Sequence, residues 1–163
     1  MQESSKLLQR LVDAEVDFVV IGGVAANLHG ASYPTQDFDV AVEISVENCR
    51  KILNAIGDQH PRFYQTLGKP PVNRSAEELS AFKNLYFSTD IGIIDLLGSV
   101  PPLGAYERVK RAASEFELFG LKCRVISLDD LIEVKAFVGR PKDKLVEVEL
   151  RAIRARLKGV LQK

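Results

Sequence analysis

The sequence is poor in the residues on which several kinds of chemistry depend. It holds two cysteines, two histidines, one methionine and no tryptophan. Cys49 and Cys123 stand far apart in no metal-ligand spacing and read as reduced thiols of a cytoplasmic protein. His29, at a helix end, and His60, before Pro61, are isolated and read as structural rather than catalytic. No apolar run approaches the ~20 residues of a membrane helix, so no membrane partner is expected. The opening stretch MQESSKLLQRLVDAE is amphipathic and carries acids, unlike a signal peptide.

Net charge is lacking too, but only in total. Residues 1–100 hold 8 Lys and Arg against 13 Asp and Glu, whereas residues 101–163 hold 14 against 9. An acidic half is therefore joined to a basic one. The basic half has the charge to face a triphosphate or a nucleic acid, although most of it reads as solvated helical surface. With 163 residues, 46% of them hydrophobic, the chain suits a single domain over 1–163 with a real core.

Patterning predicts an α+β, α/β-like domain with a mixed sheet flanked by helices. A first helix runs from Ser4 or Ser5 to Ala14, with Leu7, Leu8, Leu11 and Val12 on one side. Residues 18–22 read as a buried strand, 23–29 as a short helix stopped at Gly30, and 37–43 as a second strand. Ser45 caps a helix over 46–56 that ends at Gly57. Residues 58–74 look irregular, and Ser75 with Glu78 forms a capping box. LYFSTDIGIIDLL reads as a hairpin turning near Thr89-Asp90, with its second strand at 91–97. A short helix over 104–112, a hairpin around Gly120 and a helix from Ser127 to Val138 follow. Gly139-Arg140-Pro141 breaks the chain before a final helix.

Chemistry concentrates in three carboxylates. Alternate strand residues share a face, ~6.6 Å apart, so Asp37 and Asp39 project together while Phe38 and Val40 face the core. Paired carboxylates on a strand flanked by apolar residues repel each other unless a divalent cation lies between them. Solvent exposure at a strand end is the plainer alternative, and the apolar flanks of FDVAV argue against it. Asp95 stands alone in the aliphatic strand GIIDLL, where an unpaired charge needs a partner or a metal. If that strand neighbours 37–43, Asp95 completes a three-aspartate cluster and can accept the proton of an attacking hydroxyl. Asp90, at the hairpin tip, suits turn chemistry instead. Gly22 and Gly23 close a strand and open a helix, which lets backbone N–H groups approach a phosphate.

Gly22-Gly23, Asp37-x-Asp39 and Asp95 together resemble the core signature of the nucleotidyltransferase superfamily with the DNA polymerase β-like fold. Within it, IGGVAANLHGASYPTQDFDV, Leu131–Lys135 and Gly139–Asp143 resemble the small stand-alone enzymes tied to toxin–antitoxin and abortive-infection systems. The resemblance spans about residues 16–153. It implies two Mg²⁺ ions, with Mn²⁺ as a substitute, held by Asp37, Asp39 and Asp95. It implies transfer of NMP from an NTP, ATP among the candidates, to a hydroxyl of a protein or RNA acceptor, with release of pyrophosphate. Gly22 and Gly23 would hold the triphosphate, and Asp95 would act as base. A partner protein of toxin–antitoxin type is also implied. In one place the sequence departs from the pattern. Relatives often carry Arg in an R-x-T-x-D arrangement, whereas Tyr33-Pro34-Thr35-Gln36-Asp37 has Tyr at that place. A missing arginine removes a phosphate or acceptor contact and leaves the metal ligands complete. An inactive nucleotide- or partner-binding module is therefore the alternative function.

Two further residues have two readings each. Lys135 falls in the apolar arc of its helix. It either snorkels or pairs with Asp143, or it lines the nucleotide side of the cleft together with Arg140. Tyr33 either stacks on a base or covers the sheet edge.

Overall fold

A computed structural model describes residues 2–161. Its centre is a seven-stranded mixed sheet. β1 (Phe18–Ile21) is buried at every position, as a continuous apolar run requires of a central strand. β2 (Phe38–Val42) pairs antiparallel with it, Ile21 facing Asp39. β5 (Gly92–Leu97) lies on the far side of β2 and runs parallel to it. β4 (Asn84–Thr89) pairs antiparallel with β5, and β3 (Arg62–Phe63) with β4. On the other flank β9 (Leu121–Val125) runs parallel to β1, and β8 (Ser114–Leu118) closes that edge. The order is β3-β4-β5-β2-β1-β9-β8. β6 (Ser99–Val100) and β7 (Gly104–Ala105) form a separate small ribbon.

Among the described residues seven helices flank the sheet: α1 (Gln2–Asp13), α2 (Gly22–Leu28), α3 (Val46–Ile56), α4 (Ala76–Leu79), α5 (Tyr106–Ala112), α6 (Leu128–Val138) and α7 (Pro141–Leu161). Local chemistry sets their ends. Ser45 Oγ accepts from Asn48 N at the start of α3, and Ser127 Oγ from Asp130 N at the start of α6. Ser75 and Glu78 form the reciprocal capping box of α4. Gly139 ends α6 in the left-handed conformation, φ 66°. Asn48 is also a clip: its amide binds both backbone groups of Asp17 and the carbonyl of Glu43, at 2.7 to 3.0 Å. It fastens the entry of β1 to the exit of β2.

The core joins Leu7, Leu8 and Leu11 of α1 to Val19, Val20, Phe38, Val40, Phe87, Ile94 and Leu96 of the sheet. No helix among the described residues is long and apolar enough to cross a membrane.

Three local expectations need correction. The strand expected over 37–43 begins at Phe38, so Asp37 is a loop residue. The irregular stretch 58–74 contains β3, whose two residues are too few to leave a periodic pattern. The helix expected from 104 starts at Tyr106, because Gly104 and Ala105 form β7.

Candidate functional site

Register alone brings the first two carboxylates together. The parallel pairing of β2 and β5 sets Asp39 beside Asp95, close enough for each carboxyl to feel the other. Asp37 sits in the loop just ahead of β2, with its carbonyl accepting from Thr35 Oγ1 at 3.4 Å. It lines the same cleft as Asp39. The expected juxtaposition of Asp37 and Asp39 therefore holds, through a loop rather than strand parity.

The neighbourhood of Asp39 is electrostatically strained. Burial, then the charge of Asp95, then that of Asp37 push its carboxyl from 3.8 up to about 7, against a smaller opposing pull from Lys135. Asp39 therefore holds its proton far more readily than an ordinary aspartate. Asp95 is itself raised by burial, with a hydrogen bond from Tyr64 opposing the shift. That bond is short: the Tyr64 hydroxyl donates to Asp95 Oδ1 at 2.6 Å. Burial and the carboxylate beside it hold the Tyr64 phenol well above the usual tyrosine range.

Both glycines of the pair are required by sterics. Gly22 has φ 67°, and a Cβ there would lie 2.9 Å from Asp39 Cβ and 3.0 Å from its carboxyl carbon. A Cβ on Gly23 would lie 2.6 Å from both Cβ and Oγ1 of Thr35. Gly22 thus makes room for Asp39, and Gly23 lets the loop 31–36 close onto α2 and line the cleft.

The basic wall comes from α6 and α7. Asp143, 1% exposed, binds Lys135 Nζ at 3.3 Å and Arg140 Nε at 2.7 Å. Burial would raise its carboxyl, but the bond to Arg140 and the nearby Lys135 hold it below the usual range. Lys135, Arg140, Lys142 and Asp143 line the cleft with Asp37, Asp39, Gly23, Tyr33 and Thr35. Lys135 pairs with Asp143 and lines the same cleft as Asp37 and Asp39. Tyr33 lines this cleft and is 38% exposed. Ser32 is tied to α7 by its N–H and Oγ, both donating to Glu149 at 3.0 to 3.1 Å. That tie fixes the loop against the basic wall.

The enclosed part of the cleft measures about 70 Å³, room for a phosphate-sized group rather than a nucleotide. A roomier cavity of about 430 Å³ lies elsewhere, lined by Lys6, Arg10, Ile91 and Phe119, and has only Asp13 as an acid.

The two histidines stand apart from the site. His29 Nε2 bonds the Ile126 carbonyl at 2.7 Å and meets Phe116 edge-on, while His60 pairs with Asp90 at the β4–β5 turn. Sequence reasoning missed Tyr64, Thr35 and Lys142. Tyr64 lies in a stretch without periodicity, and only the sheet order shows that it reaches Asp95.

No protein-family model matches the sequence. No curated protein matches it. Solved structures do share its fold. The lincomycin-bound lincosamide antibiotic adenylyltransferase LnuA superposes with a TM-score of 0.63 at 14% identity, covering 94% of this chain and 97% of that one. A protein of Thermotoga maritima described as a nucleotidyltransferase gives 0.51 at 20% identity, covering 98% and 91%. ANT(2")-Ia in complex with adenylyl-2"-tobramycin gives 0.54 at 13% identity, covering 94% and 95%. The chain has the nucleotidyltransferase fold.

Proposed function

We propose that this protein is a metal-dependent nucleotidyltransferase. It moves NMP from an NTP to a hydroxyl of a protein or RNA acceptor and releases pyrophosphate. One observation carries the reading: Asp39 and Asp95 are register partners on adjacent parallel strands, with Asp37 at the same cleft and Lys135, Arg140 and Lys142 facing them. A carboxylate cluster beside a cationic wall, on this fold, suits a metal–triphosphate substrate.

The donor set fits a hard divalent cation. Asp37, Asp39 and Asp95 offer only carboxylate oxygen, the chemistry preferred by Mg²⁺ and tolerated by Mn²⁺. Burial, and after it the repulsion of Asp95 and Asp37, pushes the Asp39 carboxyl up to about 7, a strain that a cation would relieve. Among the described residues no three His, Cys, Asp or Glu side chains are arranged to hold an ion as they stand. Asp39 must first give up its proton. When bound, the metal would lower the charge on the triphosphate and the acceptor oxygen.

The chain's own residues divide the remaining work. Gly22 and Gly23 let the backbone approach the triphosphate closely. Lys135 and Arg140 hold its negative charge, oriented by Asp143. Asp95 takes the proton of the acceptor hydroxyl. The test incubates the protein with Mg²⁺, labelled NTPs, and cell extract, total RNA, a lincosamide and an aminoglycoside as acceptors. The small molecules belong in the panel because LnuA and ANT(2")-Ia carry such compounds in their structures. Transfer that disappears in Asp39→Asn supports the reading. No NTP binding by calorimetry and no transfer to any acceptor would sink it.

A second reading rests on the prior engagement of Lys135 and Arg140 by Asp143, together with Tyr33 and Gln36 in the loop before Asp37. On it, the chain is an inactive nucleotide- or partner-binding module of a toxin–antitoxin-like system. A biological effect that survives Asp39→Asn would favour this second reading.

A further inference from the structure

Tyr64 follows β3 directly and reaches the aspartate cluster from the sheet edge. Its hydroxyl donates to Asp95 Oδ1 at 2.6 Å and also feels the charge of Asp37. This is the bond an acceptor hydroxyl must make before a carboxylate takes its proton. Tyr64 therefore occupies the place of the acceptor, and a phenol is a competent oxygen nucleophile once deprotonated.

Other hydroxyls of the chain are engaged differently. Thr35 Oγ1 donates to the backbone carbonyl of Asp37. Tyr106 is buried on α5, its hydroxyl unpartnered among the described residues. The segment after Tyr64 is lightly packed: Leu67 is 99% exposed, and Gly68 and Lys69 both take positive φ, 80° and 46°. Such a loop allows the phenol the short movement needed to reach a bound phosphate.

Resting on the nucleotidyltransferase reading, we propose that Tyr64 is an internal acceptor and that the protein nucleotidylates itself on the Tyr64 hydroxyl. The Tyr64 oxygen forms a bond to the α-phosphorus of an NTP. The bond from that phosphorus to the oxygen bridging to the β-phosphate breaks. The phenolic proton passes to Asp95, and pyrophosphate leaves. The product is a tyrosyl phosphodiester of the nucleoside, with no change of oxidation state. The reaction stops at one NMP per chain, because the modified side chain then fills the acceptor position beside Asp95.

The test incubates the full chain with Mg²⁺ and each of the four NTPs, followed by intact-protein mass spectrometry and peptide mapping. A gain of one nucleoside monophosphate per chain, mapped to Tyr64, is expected with at least one NTP. Tyr64→Phe should lose the gain, while Tyr106→Phe keeps it. The mapping is done on unsubstituted protein, so it decides the matter even if Tyr64→Phe folds poorly. Label on any other residue, or label that persists in folded Tyr64→Phe, overturns the proposal. Transfer to an added acceptor with no mass gain on the chain overturns it and spares the nucleotidyltransferase reading. Absence of both NTP binding and pyrophosphate release overturns the two together.

Discussion

Asp143 and Asp39 line one cleft, the first from α7 and the second from the sheet. Both are withdrawn from water, yet their carboxyls shift in opposite directions. Asp143 has Lys135 and Arg140 as partners and lies below the usual range. Asp39 has Asp95 and Asp37 as neighbours and is pushed up to about 7. Burial raises both, so the sign of the neighbouring charge decides the outcome. The helical wall is electrostatically complete, whereas the strand wall carries an excess of negative charge that only a proton or a cation offsets. Balanced and unbalanced charge thus face each other in one cleft.

The sharpest way to break this comparison is to neutralise each aspartate in turn. Asp39→Asn should lower nucleotidyl transfer on the order of a thousandfold, about 4 kcal/mol on the barrier, read by labelled-NTP assay. Residual transfer within tenfold of the parent would remove Asp39 from the chemistry. Asp143→Asn should instead destabilise the fold by about 3 kcal/mol in urea denaturation, because two cations lose their buried counter-charge. A loss under about 1 kcal/mol would mean that the helical wall does not depend on the pair.

Acidity separates the two residues further. The folded value for Asp39, about 7, exceeds its ordinary 3.8, so folding takes up a proton between those values. The stability this contributes is fully present below about pH 4 and is lost as pH rises through about 7. Metal-free Asp39→Asn should therefore be more stable than the parent at pH 8 by about 2 kcal/mol, with the gap closing below pH ~4. Adding Mg²⁺ should narrow the gap from the other side by stabilising only the parent. Thermal melts of both proteins from pH 4 to 8 would show a constant difference if the strand wall carried no excess charge. The smallest effect belongs to the exposed pair of Arg154 with Asp129, 3.1 Å apart. Arg154→Ala should cost only about 0.3 kcal/mol in the same melts, which marks off the buried pairs of α7 from its solvated ones.

Much of the site was legible in the sequence because it interrupts strong patterns. Asp39 and Asp95 stand inside aliphatic runs, where a charge has to be explained, and strand adjacency was the one missing fact. The Ser45, Ser75 and Ser127 caps were legible because side-chain capping is local. Tyr64 was not legible, since its contact with Asp95 bridges 31 positions and starts from an edge strand of two residues. The need for Gly22 was anticipated for a different reason, phosphate approach, whereas its nearest constraint is the Asp39 side chain. Lys135 showed why a single label misleads: its helix position told that it needs an anion, and the fold supplied one that also borders the cleft.

The parallel registry of β2 with β5 has a consequence for how this chain tolerates change in length. Asp39 meets Asp95 only because Phe38 pairs with Ile94 and Val40 with Leu96. A slip of one residue would set Asp39 against an aliphatic side chain and turn the carboxylates to opposite faces. The alignment is held by the strands themselves, so the excursion between them, from Glu43 to Ile91, is not a measuring rod. Loop insertions there leave the two aspartates in step, while a single deletion inside either strand dismantles the pair.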